Sequence, residues 1–446
     1  MLETVTRDGA SRRSVGRRSV MLAVAVALLT SLAAIPSGAQ APETLPAETI
    51  TNIEYTAPVP ATTQGNRLDL YLPERVEGEP LPLLMWTSGS AWFSDSGKTG
   101  AATWANAFRP RGFAVAGVSI RSSSQVKFPG QLHDVKAAIR WLRFHAEEYG
   151  LDPDRFAIAG NSSGGWTAAM AGVTGNVAED LEGTSGVTGV SSAVQAVVDF
   201  YGPTNFLLMD YQEPSVIVHD SPTSPESLLI GCAIQTCPEL TERANPLNYV
   251  SEDDPPFLIM HGTADVLVPH GQSRILYEQM RGICHDATFH SVPGIGHSHS
   301  YVTNNNQAQN QTVFKSSADC TETMTQGFEG GTAPNYDYIE AFLHRAYAAM
   351  ETEPPVTTAE LTAEATTGLG WYVKPVVTLT AEDSPSWGSG VVTTEYRIDG
   401  GPWTTYEGPI LVDGNGERVV EYRSVDANGN VEEANVLTFT AVGRHD

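Results

Sequence analysis

Positive charge is what this chain most lacks: 26 Lys and Arg stand against 52 Asp and Glu, a formal net charge of −26 over 446 residues. Nucleic acid and an anionic membrane surface would both repel it, which argues against either as a partner. Long apolar runs are missing too. Beyond residue 40 none approaches the roughly 18 residues that a membrane-spanning helix needs, so the processed chain is expected to be soluble. Cysteine is sparse, with Cys232, Cys237, Cys284 and Cys320 confined to one central stretch. Hydrophobic residues make up 41%, enough for globular folding, and the length argues for more than one domain.

The N-terminus reads as an export signal over residues 1–39. Arg12, Arg13, Arg17 and Arg18 form a basic region, Val20 to Ile35 an apolar run too short to span a membrane, and Ser37-Gly38-Ala39 a small-residue cleavage site. General secretion and twin-arginine export are both open from Ser11 to Val15. A secreted, extracellular destination favours two disulfides over a metal site for the four cysteines. Three pairings are possible; the short spacing of Cys232 and Cys237 makes a local loop plausible, which leaves Cys284 with Cys320.

From about residue 40 to 350, strands alternate with helices, the pattern of a mostly parallel sheet covered on both faces. Short apolar runs at Leu81–Trp86, Gly112–Ile120, Arg155–Gly160, Val194–Gly202, Pro256–Gly262 and Ala287–Val292 are the predicted strands. Between Pro129 and Tyr149, Val135, Ala138, Ile139, Leu142 and Ala146 recur at helical spacing, and a last helix is expected over Tyr336–Met350. Residues 351–355 form an acidic, Pro-containing joint. From 356 to 446 the period changes to two, with Asp-Gly and Asn-Gly turns, which predicts a small antiparallel β-sandwich.

Gly160-Asn161-Ser162-Ser163-Gly164 is the only G-x-S-x-G pentapeptide in the chain. It directly follows a predicted strand and opens a helix, the context in which a sharp turn raises a serine hydroxyl above the sheet edge. A serine needs a base to become a nucleophile, and the base needs an orienting acid. Asp265 follows the strand ending at Gly262, and His297 follows the strand ending at Val292, in the order Ser, acid, His. His299, two residues on, is the competing base; His261 and His290 read as structural and His133 as a packing or surface residue. Donors for an oxyanion are expected from the backbone N–H groups of Ser163 and of Gly89 and Ser90 in the loop after Leu81–Trp86.

Read in order, DLYLP, LPLLMW-TSGSAW, GLDPDRFAIAGNSSGG, VQAVVDFYGPTNF, DDPPFLIMHGTADVLVP and VPGIGH resemble the hormone-sensitive-lipase-like esterases of the α/β-hydrolase fold, in particular the bacterial feruloyl-esterase-type branch. The resemblance covers about residues 50–350. It implies hydrolysis of carboxylic esters, small or polysaccharide-linked, through Ser162, His297 and Asp265, without metal or organic cofactor. A peptidase or amidase of the same fold and a non-catalytic binding protein are the alternatives. Two departures stand out. Ser88 occupies the position where the family usually has His before the oxyanion glycines, and a polar Asn/Gln-rich insertion runs from Ser298 to Pro334. A Cys284–Cys320 bridge is expected to hold that insertion as one wall of the substrate entrance. The C-terminal stretch resembles immunoglobulin-like accessory modules, with Trp403 and Tyr406 as possible carbohydrate contacts or core residues.

Overall fold

The computed structural model describes residues 43–442 apart from 176, 178–179, 213–214, 329–330 and 384–386. The predicted export segment lies outside the described residues. Ten strands form one sheet: β1 (Glu48–Glu54), β2 (Arg67–Leu72), β3 (Leu81–Thr87), β4 (Ala114–Val118), β5 (Leu151–Asn161), β6 (Ala196–Phe200), β7 (Phe257–Gly262), β8 (Ala287–Val292), β9 (Thr312–Ser316) and β10 (Glu322–Gln326). Their spatial order is β1-β2-β4-β3-β5-β6-β7-β8-β9-β10. The middle strands from β4 to β8 pair in parallel, and the two at each edge pair antiparallel. Loops leaving β3, β5, β6, β7 and β8 therefore emerge at one edge of the sheet, the C-terminal edge where such folds place ligands.

Period-two alternation explains why both faces are buried. Leu83, Met85, Phe156, Ile158, Val197, Phe257 and Ile259 enter one apolar layer, while Leu84, Trp86, Ala157, Ala159, Val198, Leu258 and Met260 enter the other. The first layer is covered by α2 (Gly130–Phe144), α3 (Ser163–Val173) and α4 (Gly271–Gly282), and the second by α1 (Ala101–Phe108) and α5 (Tyr336–Ala348). Small residues let α3 lie directly on the strands. A Cβ at Gly172 would stand 2.5 Å from a methyl of Val197 and one at Gly165 2.3 Å from an Asp199 oxygen.

Three sequence expectations shift. The helix predicted over Pro129–Tyr149 breaks at His145, after which Ala146–Tyr149 forms a separate turn. The last helix ends at Ala348. Within the polar insertion, β9 and β10 form a hairpin that extends the sheet beyond β8. This corrects the expectation that the disulfide holds the insertion at the substrate entrance. The disulfides do pair Cys232 with Cys237 and Cys284 with Cys320. Cys284, however, precedes β8, and Cys320 lies in the turn between β9 and β10, level with the start of β8 where Ala287 pairs Ser316. The bridge therefore sits at the opposite end of β8 from His297, roughly 15–20 Å away at about 3.3 Å per residue.

The C-terminal residues form a second, curled sheet around Val377, Leu379, Val412, Val420 and Phe439. Its long strands are β11 (Val356–Thr366), β12 (Tyr372–Glu382), β13 (Val391–Ile398), β14 (Gly416–Asp426) and β15 (Asn435–Val442), ordered β11-β12-β15-β14-β13. All neighbours pair antiparallel except β12 and β15.

Candidate functional site

At Ser162 the chain turns from β5 into α3 with φ 56° and ψ −128°, a conformation costly for a residue with a side chain. The surrounding contacts hold it there. Ser162 N–H donates to the Phe200 carbonyl at 2.9 Å, and Trp166 N–H donates to the Ser162 carbonyl at 3.1 Å. The flanking glycines have no substitute. A Cβ at Gly160 would lie 2.2 Å from the Gly164 oxygen, and one at Gly164 would lie 2.1 Å from the Thr87 oxygen. The pentapeptide is thus a steric requirement of a strand turning sharply against its neighbour, and Ser162 is left only half-buried.

Asp265 is buried, and each of its carboxylate oxygens has partners. Oδ1 accepts from the N–H groups of Leu267 at 2.9 Å and Val268 at 3.0 Å. Oδ2 lies 2.7 Å from Nδ1 of His297 and 3.2 Å from Nε2 of His261. Burial alone would raise the Asp265 pKa, but the hydrogen bonds from His261 and His297 outweigh it and hold the group well below the usual carboxylate range. With Nδ1–H donating to the carboxylate, His297 presents Nε2 as the basic nitrogen.

His261 reads from the sequence as structural, and its position gives that role content. Nε2 faces two acceptors, Asp265 Oδ2 and the Val268 carbonyl at 3.1 Å, so it carries the proton. Nδ1 then accepts from the Ser273 hydroxyl at 2.7 Å. Burial pushes its pKa down, consistent with a neutral ring. His299 is directed elsewhere: its Nδ1 meets the Tyr201 hydroxyl at 2.7 Å, and its ring lies against Trp86 and Phe200. His290 is buried and pairs through Nδ1 with Gln311 at 2.9 Å, and His133 contacts the Asp180 carbonyl on α2's side of the sheet.

The loop after β3 approaches the serine as closely as backbone can. A Cβ at Gly89 would fall 2.5 Å from Ser162 Cβ and 2.3 Å from the Asn161 oxygen. The expected donors, however, are engaged within the protein. Gly89 N–H donates to Asn161 Oδ1 at 3.2 Å, and Ser90 N–H donates to Ser163 Oγ at 2.9 Å, which also accepts from Trp92 N–H at 3.3 Å. Ser163 N–H, at the first position of α3, is one of the helix-terminal donors without an intrahelical acceptor. Loop support comes from Asn161, from Ser163 Oγ and from the Ser88 N–H bond to the Gly97 carbonyl at 2.6 Å.

Two residues escaped the sequence reading. Asn161 links Gly89 to the Tyr201 hydroxyl, which its Nδ2 reaches at 3.4 Å. Tyr201, at φ 47°, packs its ring 4.6 Å from that of His297. A polar residue beside Ser162 was a signal for Asn161; nothing in the sequence marked Tyr201. In the C-terminal sheet, Trp403 lies under the guanidinium groups of Arg397 and Arg423 at 4.7 and 4.4 Å, and the Tyr406 hydroxyl accepts from Leu379 N–H at 3.1 Å. Both aromatics thus serve the module's own packing.

Comparison with known proteins converges on one group. The BD-FAE family model matches residues 68–280. A truncated form of a carbohydrate esterase from gut microbiota is 31% identical, with a TM-score of 0.53 over 67% of this chain and 96% of its own. A bifunctional GH43-CE protein of Bacteroides eggerthii is 35% identical, with a TM-score of 0.51 over 56% of this chain and 35% of its own. Esterase LipC of Mycobacterium tuberculosis is 28% identical over 52% of this chain and 56% of its own length. The chain spans about half the length of the curated relatives it matches.

Proposed function

Given that the chain belongs to the BD-FAE family of α/β-hydrolase-fold proteins, we propose that it is a secreted serine carboxylesterase. The observation that carries this reading is the pairing of His297 Nδ1 with the buried Asp265 at 2.7 Å, on loops that leave the same sheet edge as the strained Ser162 turn. In the proposed reaction, His297 Nε2 takes the hydroxyl proton as Ser162 Oγ attacks the ester carbonyl carbon. The C–O bond to the alcohol breaks, and the alcohol leaves with the proton from the imidazolium. Water then attacks the acyl-enzyme with His297 again as base, releasing the carboxylic acid and restoring Ser162. Asp265 fixes the tautomer and stabilises the imidazolium. For the oxyanion, the proposed donors are Ser163 N–H at the start of α3 and the N–H groups of Gly89 and Ser90, which must first leave their present acceptors.

The similar structure described as a carbohydrate esterase supports an ester borne on a saccharide as the substrate class. The two disulfides, and the absence among the described residues of a helix long and apolar enough to cross a membrane, fit export. The test pairs substrates with variants. p-Nitrophenyl acetate and acetylated xylan are expected to be hydrolysed and an aminoacyl nitroanilide spared. Ser162→Ala and His297→Ala are expected to lose roughly 10⁴-fold or more in kcat, and His299→Ala far less. Near-normal turnover by folded Ser162→Ala, or preference for the anilide, refutes the reading.

A further inference from the structure

Three carboxylates meet where the last hydrolase helix gives way to the C-terminal module. Glu351 lies just past α5, Asp383 just past β12, and Asp426 at the end of β14. One oxygen of each lies within 4.8 Å of an oxygen of both others. Glu351 is only 4% exposed, and its Oε1 meets no hydrogen-bond donor. Glu351 Oε2 accepts from Asn430 Nδ2 at 3.4 Å, but a buried oxygen without an N–H donor, facing two more carboxylates, is costly until a shared proton or a cation completes it.

The surrounding loop is built to stay in place. Asn430 donates to Asp426 through its N–H and Nδ2, both at 2.8 Å, and Asn428 Nδ2 reaches the carbonyls of Ala348 at 2.7 Å and Glu351 at 2.8 Å. The loop of β14 is thereby tied to the end of α5, and the carboxylates are supplied from both sides of the junction. Beside them a cleft of about 730 Å³ is lined by Asp152, Asp154, Glu351, Glu353 and Trp387; Arg155 pairs with Asp152 at 2.8 Å and lies over Trp387, which leaves Asp154 and Glu353 as the further negative groups along the approach.

We propose that Glu351, Asp383 and Asp426 bind a calcium ion that clips the C-terminal module to the hydrolase domain. The donor set is all oxygen, which disfavours zinc. Calcium takes six to eight oxygens at about 2.3–2.6 Å in flexible geometry, so its ligands can stand up to about 5 Å apart, and carbonyls and water complete the shell. Magnesium, at about 2.0–2.1 Å and strictly octahedral, fits this spread less well. Modules exposed to extracellular calcium bind it with Kd of roughly 10⁻⁴–10⁻³ M.

The experiment uses the full chain, stripped with EDTA. Calorimetric titration with CaCl₂ is expected to show one site per chain. Saturation at about 10 mM is expected to raise Tm by roughly 3–6 °C. Terbium is the optical probe, since Trp387 lines the same cleft and should sensitise its luminescence, which calcium then quenches by displacement. Glu351→Gln and Asp426→Asn are expected to lose the calcium response while keeping p-nitrophenyl acetate turnover. Absence of calcium uptake by the wild type at about 10 mM overturns the proposal, as do an equal response to magnesium and undiminished uptake in both variants. Should one variant fail to fold, the wild-type titration and the other variant decide.

Discussion

Replacing Asp199 by asparagine tests how the sheet holds the Ser162 turn. Asp199 is on β6, 1% exposed, directly behind α3. Its Oδ1 accepts from Gly202 N–H at 2.9 Å, while Oδ2 has no partner. Burial, only partly countered by that hydrogen bond, pushes its pKa up to about 7 from an ordinary value of 3.8. The sign follows from proton counting. Below about pH 4 the folded and unfolded chains both hold the proton. Between about pH 4 and 7 the folded protein keeps a proton that the unfolded chain has released, so stability falls as pH rises. Above about pH 7 both are ionised and the loss is complete. Some three pH units at about 1.4 kcal/mol each give about 4 kcal/mol.

An asparagine side chain has nearly the same shape and can keep the Gly202 bond, but it does not titrate. The stability of Asp199→Asn relative to wild type should therefore rise by up to about 4 kcal/mol between about pH 4 and pH 8. Urea unfolding of both proteins across that range measures it, and taking the difference cancels other groups that titrate alike in the two. A relative stability that stays constant with pH would show that Asp199 is ionised in the folded state throughout, and the reasoning would fail.

His261→Ala removes a donor from Asp265 and leaves the Ser273 hydroxyl without its nitrogen partner. We expect kcat to fall about tenfold, equivalent to about 1.4 kcal/mol, with KM unchanged and partial recovery in His261→Gln; a change confined to Tm would make His261 a packing residue only. The Cys284→Ser/Cys320→Ser double variant opens a loop with a sequence separation of 36, and about 4 kcal/mol of stability should go with it. Since the bridge lies at the far end of β8, turnover of acetate and of bulky esters at room temperature should be equally preserved. Selective loss on bulky esters would restore the bridge as an entrance element.

Much of the architecture was legible because the physics behind it is local. Strand after strand announced itself as a short apolar run, since a strand buried on both faces is apolar at most of its positions. The Ser162 turn was legible because only glycine survives at 160 and 164 when a strand reverses against Thr87. The order Ser162, Asp265, His297 could be read because parallel strands deliver their loops to one edge. What depends on distance in sequence was not legible. That His261 and His297 share one oxygen of Asp265, that Asn161 occupies the Gly89 donor, and that Tyr201 faces His297 are set by packing between strands far apart in the chain. The polar insertion misled for the same reason. An edge hairpin needs few apolar residues, so β9 and β10 carry little pattern of their own and form because β8 offers an open row of backbone donors and acceptors. That pairing moved the Cys284–Cys320 bridge away from the site, and only the folded sheet could decide it.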